Sequence, residues 1–249
     1  MVSVQQVYDT LKDLANKDQK GFITPAVFNN FAGVAQINIY NELFQELVKA
    51  KQIQRQNFDP GRDKSVRKQA TEDLSVFIVS DLEITGEDTI FLKPANLSKI
   101  ISISSTETNR PGIEYVNGRY NRKQVELVYD AEKIDRILTS NLSTPTEDFP
   151  VALISQNIEV FPSEIDKIRV TYYRRPGSIN QMGDTIDLPP AYASVLIGNS
   201  EQFNANSSYN FMLPPHYTTE LVMEMAKLIG VRLRDPNLTG FAAQEEASE

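Results

Sequence analysis

At 249 residues, 41% of them hydrophobic, the chain is long enough for one large or two modest domains with a real core, and it lacks the composition of a disordered protein. It contains no cysteine, which excludes disulfides, thiolate zinc sites and cysteine nucleophiles. Its net charge of −8 argues against a protein built to grip DNA, because neutralising phosphates requires clustered Lys and Arg.

Val4, Val7, Tyr8, Leu11 and Leu14 recur at i, i+3, i+4 and i+7 spacing, which predicts an amphipathic helix over 3–15. The first residues show no basic stretch leading into an apolar one. No later run approaches the roughly 20 apolar residues that span a bilayer, so a soluble protein made in the cytosol is expected. The next segment begins like a calcium loop, with Asn16, Asp18, Gly21 and Ile23 at the first, third, sixth and eighth positions of the EF-hand pattern. Lys20 and Val27 then stand where a hard cation needs oxygen ligands. What remains is a helix start, with Gly21 for the turn, Thr24 as N-cap and Pro25 at the first helical position.

After Pro25, one apolar stripe runs through Phe28, Phe31, Ala32, Ala35, Ile39, Leu43 and Leu47, and a second beside it through Ile37, Tyr40, Phe44 and Val48. A surface helix needs only one narrow stripe, so this width predicts burial on more than one side, within the chain or against a neighbouring subunit. Lys49, Lys51 and Arg55, and the bases from Arg62 to Lys68, alternate with acids and amides as on a solvated helix face. A further helix is expected over 62–71, after the Asp59-Pro60-Gly61 turn.

From Leu74 the period changes to two and β-branched residues increase. Strands are predicted over 74–79, 89–92, 99–105, 124–129, 151–155, 157–161 and 167–173. Between them lie a short helix near 130–139, capped by Asp130, and an exposed hairpin from Arg110-Pro111-Gly112 to Asn117-Gly118. Residues 198–210 are small and polar, like a mobile loop. A helix follows Pro214-Pro215, with Leu221, Met225, Leu228 and Ile229 on one face, and stops at Asp235-Pro236. Alone it cannot bury that face, so it is expected to pack on the N-terminal helices. The fold class is α+β: an N-terminal helical part (1–72) and a C-terminal helix (214–236) form one helical domain. An antiparallel β domain (73–213), sandwich- or barrel-like, is inserted, and 237–249 is an acidic tail.

Catalytic constellations are absent from the sequence. The single histidine, His216, stands where a helix begins, and no Ser-His-acid arrangement assembles around it. The 11 glycines are scattered and never form a phosphate loop. No catalytic residue, cofactor or metal is therefore expected, and the protein is read as a non-enzyme.

Three segments carry a resemblance. The first runs Asn16-Lys17-Asp18-Gln19-Lys20-Gly21-Phe22-Ile23-Thr24-Pro25, then Phe28-Asn29, Ala35-Gln36-Ile37 and Phe44. The second is Ile168-Arg169-Val170-Thr171-Tyr172-Tyr173-Arg174-Arg175-Pro176. The third runs from Phe211-Met212-Leu213-Pro214-Pro215-His216-Tyr217 through Glu220-Leu221 to Lys227-Leu228-Ile229-Gly230-Val231-Arg232-Leu233-Arg234-Asp235. In this order they resemble head–tail connector proteins of crAss-like and related short-tailed bacteriophages.

The resemblance implies a virion structural protein, made in the host cytoplasm and placed in the portal and tail-neck assembly. There it would form a homo-oligomeric ring, a dodecamer, touching the portal protein and other tail or ring proteins. Genomic DNA would pass through the channel without specific binding, repelled by acids on its wall, and no membrane is involved. The alternatives are a tail-tube or fibre-docking virion protein, or a carbohydrate- or protein-binding β module. Expected subunit contacts are Arg110, Glu114, Tyr115, Arg119 and Tyr120 on the hairpin, Arg174 and Arg175 at a strand end, and the C-terminal tail against an adjacent ring.

Overall fold

The computed structural model describes residues 1–17, 23–56, 63–106, 122–198 and 200–233. The fold is α+β, with helices contributed by both ends of the chain and sheets between them. Two compact units divide it: Met1–Phe77 with Pro176–Glu249, and Ile78–Arg175. The sequence expectation placed the inner boundaries at 72/73 and 213/214, so residues 176–213 join the helical unit here.

Helix α1 (Val4–Lys17) buries Val4, Val7, Tyr8 and Leu11, the stripe read from their spacing. Helix α2 (Pro25–Gln56) is started as predicted, with Thr24 accepting the Val27 N–H on its side chain (3.3 Å) and the Phe28 N–H on its carbonyl (3.0 Å). The first stripe of α2 is buried apart from a half-buried Phe31. The second divides: Tyr40 and Phe44 are buried, whereas Ile37 and Val48 lie exposed. Among the described residues, the buried positions of α2 up to Leu47 therefore fall on one broad side. Helix α3 (Asp63–Leu74) packs on α2 and ends in a 3₁₀ turn over Ser75–Phe77. The strand predicted over 74–79 is thus corrected, because Leu74 completes the apolar face of α3 and Phe77 places its ring 4.9 Å from Tyr40.

The second unit contains β1 (Ile78–Thr85), β2 (Ile90–Phe91), β3 (Leu97–Thr106), β4 (Arg122–Gln124), β5 (Glu126–Val128), α4 (Ala131–Thr139), β6 (Val151–Ile154), β7 (Ile158–Phe161) and β8 (Lys167–Arg174). They form two four-stranded sheets, ordered β1-β8-β3-β4 and β2-β7-β6-β5. One run of chain, 122–128, serves both sheets and turns between them at Val125, whose N–H bonds the Ile103 carbonyl at 3.0 Å. Phe91, Ile103, Val125, Ala152, Ile158, Val160, Ile168, Val170 and Tyr172 make the core. Along β8 the residues alternate buried and half-buried from Lys167 to Tyr173, the two-residue period of a strand with one covered face. One pairing departs from the antiparallel expectation. β5 runs parallel to β6, and the connection between them includes α4, since parallel neighbours need a crossover. Asp130 caps α4 as predicted, accepting the Glu132 N–H at 3.0 Å.

Back in the first unit, β9 (Ser178–Ile179), β10 (Thr185–Ile186), β11 (Ser194–Ile197), β12 (Ser200–Phe203) and β13 (Asn210–Phe211) precede α5 (Thr218–Leu233). A small sheet ordered β10-β9-β13 lies beside α2, to which Gln36 joins it: the buried amide donates to the Gly177 carbonyl and accepts the Met212 N–H, both at 2.7 Å. The N-terminus is stitched to the same region, since Val2 exchanges backbone bonds with Phe211 and Leu213. Helix α5 packs on α1 and α2, as the sequence expectation required.

The loop expected over 198–210 is corrected in the described residues. Ser200–Phe203 pairs with β11, and Ser208 is buried, its hydroxyl donating to the Asn204 carbonyl (2.7 Å) and accepting the Ala193 N–H (2.9 Å). Small polar residues here satisfy backbone groups internally instead of yielding them to water.

Candidate interaction surfaces

Among the described residues of the first unit, the most exposed apolar element is the β11–β12 hairpin. Its root is held firmly. Tyr192 stacks on Tyr8 with ring centroids 3.9 Å apart, Phe203 adds a third ring, and the Asn29 side chain on α2 bonds both the N–H and the carbonyl of Tyr192. Glu201 accepts from the Ser194 hydroxyl and faces Lys12 of α1 at 3.7 Å. Burial, then the charge of Glu201, raises the pKa values of Tyr8 and Tyr192 above the ordinary phenol range, so both rings stay neutral. Beyond this root Val195, Leu196 and Ile197 stand in solvent, with Leu196 75% exposed. Successive strand residues face opposite sides, so this short ribbon presents apolar side chains on both of its faces.

A second surface runs along α2. Asn30, Val34, Ile37, Asn41, Gln45 and Val48 are all exposed and fall on one line of the helix. None is charged. The charged residues of this stretch, Glu42, Glu46 and Lys49, lie to one side of the line. Close packing joins this helix to the segment that leads into the hairpin, because a Cβ on Gly33 would meet the Pro189 side chain at 3.1 Å. Leu188, next to Pro189, is half exposed.

His216 occupies the 3₁₀ turn before α5, consistent with its expected place at a helix start. Its Nε2 lies 3.2 Å from one oxygen of the buried Asp73 carboxylate, and the Tyr217 hydroxyl donates to the other at 2.9 Å. These contacts tie the end of α3 to the start of α5. Burial, then the hydrogen bond to Asp73, raises the Tyr217 pKa above the ordinary phenol value of about 10. A phenol that resists ionisation in the fold contributes its full stability below that value and loses it as pH rises toward the folded value. Tyr217→Phe is expected to cost about 1–2 kcal/mol at pH 7, with the gap from the parent narrowing above pH ~10 in denaturant titrations.

In the second unit, the outward side of the first sheet is polar and internally paired. Glu83 faces both Lys167 (3.3 Å) and Arg169 (3.2 Å), and Asp81 pairs with Arg122 at 2.7 Å. Elsewhere in this unit Leu142 and Phe149 are strongly exposed on turns closed by Ser140 and Thr146.

The sequence-predicted contact residues separate into two groups. Arg110, Glu114, Tyr115, Arg119 and Tyr120 lie outside the described residues, as do residues 18–22 of the calcium-like loop and the acidic tail. Arg174 is the last residue of β8, half-buried and in the same alternating row as Ile168, Val170 and Tyr172. Arg175 follows it, exposed, with its N–H bonded to the Asn96 carbonyl at 2.7 Å. Of the two, Arg175 is the better placed to reach another molecule. The sequence reading missed the hairpin, whose signal was Gly198-Asn199 between an apolar run and a polar one.

Among the described residues, no group of three or more His, Asp or Glu side chains could hold a metal ion, and no helix is long and apolar enough to cross a membrane. Compared with protein-family models and with curated proteins, the chain matches none.

Proposed function

We propose that this chain is a structural subunit of a short-tailed phage virion, closing into a homo-oligomeric ring at the head–tail junction as an adaptor between portal and tail. The observation that carries this reading beyond the resemblance is the β11–β12 hairpin, a rigidly rooted ribbon whose apolar residues are exposed on both faces. A monomer gains nothing from such a display, whereas a ring subunit needs patches that differ on its two sides, and closure lets modest contacts accumulate. The acidic balance suits a wall past which DNA must slide without sticking.

Light scattering on the purified protein, alone and mixed with the portal protein of its phage, tests the proposal. A defined ring is expected, either spontaneously or on the portal. A monomer that ignores the portal would overturn it.

A further inference from the structure

Resting on the ring reading, we propose that the contact which closes the ring is made by two surfaces of the first unit. The β11 ribbon of one copy lies along the uncharged line of α2, from Asn30 to Val48, on the next copy. Four properties of these surfaces converge on a second copy of this chain as the occupant.

Charge is the first. A chain of net charge −8 repels its own copies, so two of them approach at least cost where neither surface bears an acid. The α2 line has no charged residue among its six exposed positions, and the apolar part of β11, Val195 to Ile197, has none.

Hydrogen bonding is the second. β11 pairs only with β12 among the described residues, and antiparallel alternation turns the N–H and carbonyl of every other residue to the open edge. An edge left open in this way seeks both donors and acceptors. Asn30, Asn41 and Gln45 each supply both, interleaved with Val34, Ile37 and Val48, whereas Lys or Glu would supply only one kind.

Dimension is the third. A four-residue strand is about 13 Å long, and Val34 to Val48 spans about 21 Å of helix, so the ribbon fits within the line. The line's six side chains, each exposed over only part of its surface, cover well short of the ~800 Å² that each partner buries in a stable pair. Such a contact is too small to hold an isolated dimer and suits a closed ring, in which every subunit makes it twice.

Asymmetry is the fourth. Ribbon and line are different surfaces on the same unit, which is the requirement for head-to-tail contacts that close by rotation.

Because the chain has no native cysteine, every disulfide between its copies must come from the introduced residues. Ile37→Cys and Leu196→Cys are prepared separately and together, at positions 46% and 75% exposed, where substitution leaves the core untouched. Circular dichroism confirms that each variant is folded, and cross-linking is driven with diamide in the presence of portal protein. Mixing the two single variants should give disulfide-linked dimers at least about tenfold faster than either alone. The double variant should give a ladder of multimers.

Dimers from Ile37→Cys alone, as fast as from the mixture, would mean that α2 meets α2 and would overturn the proposal. No cross-link while the parent protein still forms rings would overturn this contact and leave the ring reading standing. No cross-link and no ring would overturn both. As an independent check, Leu196→Asp should abolish ring formation without lowering Tm, and rings that persist would count against the proposal.

Discussion

Replacing Gln36 by leucine should destabilise the helical unit by about 2–4 kcal/mol, although the substitution places an apolar residue in a buried position. Gln36 is 1% exposed and makes two 2.7 Å bonds, one to the Gly177 carbonyl and one from the Met212 N–H. Leucine of similar size leaves both backbone groups buried and unsatisfied, and that desolvation penalty exceeds what the added apolar surface returns. Glutamate separates the two roles. Its carboxylate still accepts from Met212, but it turns an acceptor toward the Gly177 carbonyl unless it holds a proton. Its pKa in the folded state is therefore raised above the ordinary ~4.3, and stability is retained below that value and lost as pH rises through the folded value. Denaturant titrations of Gln36→Leu should show the same loss at pH 4 and pH 7. Those of Gln36→Glu should show a smaller loss at pH 4 than at pH 7. Equal losses for Gln36→Glu at both pH values would show that the Gly177 bond contributes little.

Periodicity revealed those elements whose burial follows a single rule. The stripe of α1, the N-cap Thr24 before Pro25, the Asp130 cap of α4 and the alternation along β8 each follow from local chemistry, and each is found where the residues place it. What the pattern could not show was which apolar residues are covered by this chain and which are left over. Ile37 and Val48 are as apolar as Tyr40 and Phe44, yet only the second pair is buried. Gln36 is the converse case, a polar residue inside the helix that is buried because backbone from 177 and 212 converges on it. Neither partner is near it in sequence. The parallel pairing of β5 with β6 was hidden for the same reason, since strand direction depends on the path of the connection rather than on the strand's own residues. The hairpin was legible in principle from Gly198-Asn199, but the small polar residues after it resemble a solvated loop until Ser208 is seen turned inward.

The largest loss is expected from Phe28→Ala. Phe28 is fully buried in the first turn of α2, with its ring edge-on to Tyr8 at 5.3 Å, Phe211 at 6.3 Å and Tyr192 at 6.4 Å. One ring thus joins α1, α2, β13 and the root of the β11–β12 hairpin. Truncation removes its transfer free energy, opens a cavity between elements too constrained to collapse and deletes three aromatic contacts, for a cost of about 3–5 kcal/mol. At this size that moves Tm by roughly 10 °C. The chain has no tryptophan, so circular dichroism is the natural probe. Phe28→Leu should recover most of the difference by refilling the cavity without restoring the ring contacts. The two variants also separate stability from assembly. Tyr192 loses a neighbour in both, so hairpin anchoring weakens in Phe28→Leu even where the helices melt near their normal temperature. If the hairpin closes the ring, Phe28→Leu should assemble less completely on the portal than its Tm alone predicts. Assembly that tracks Tm through both variants would instead mean that the ring depends on the helical unit as a whole and not on the posture of its ribbon.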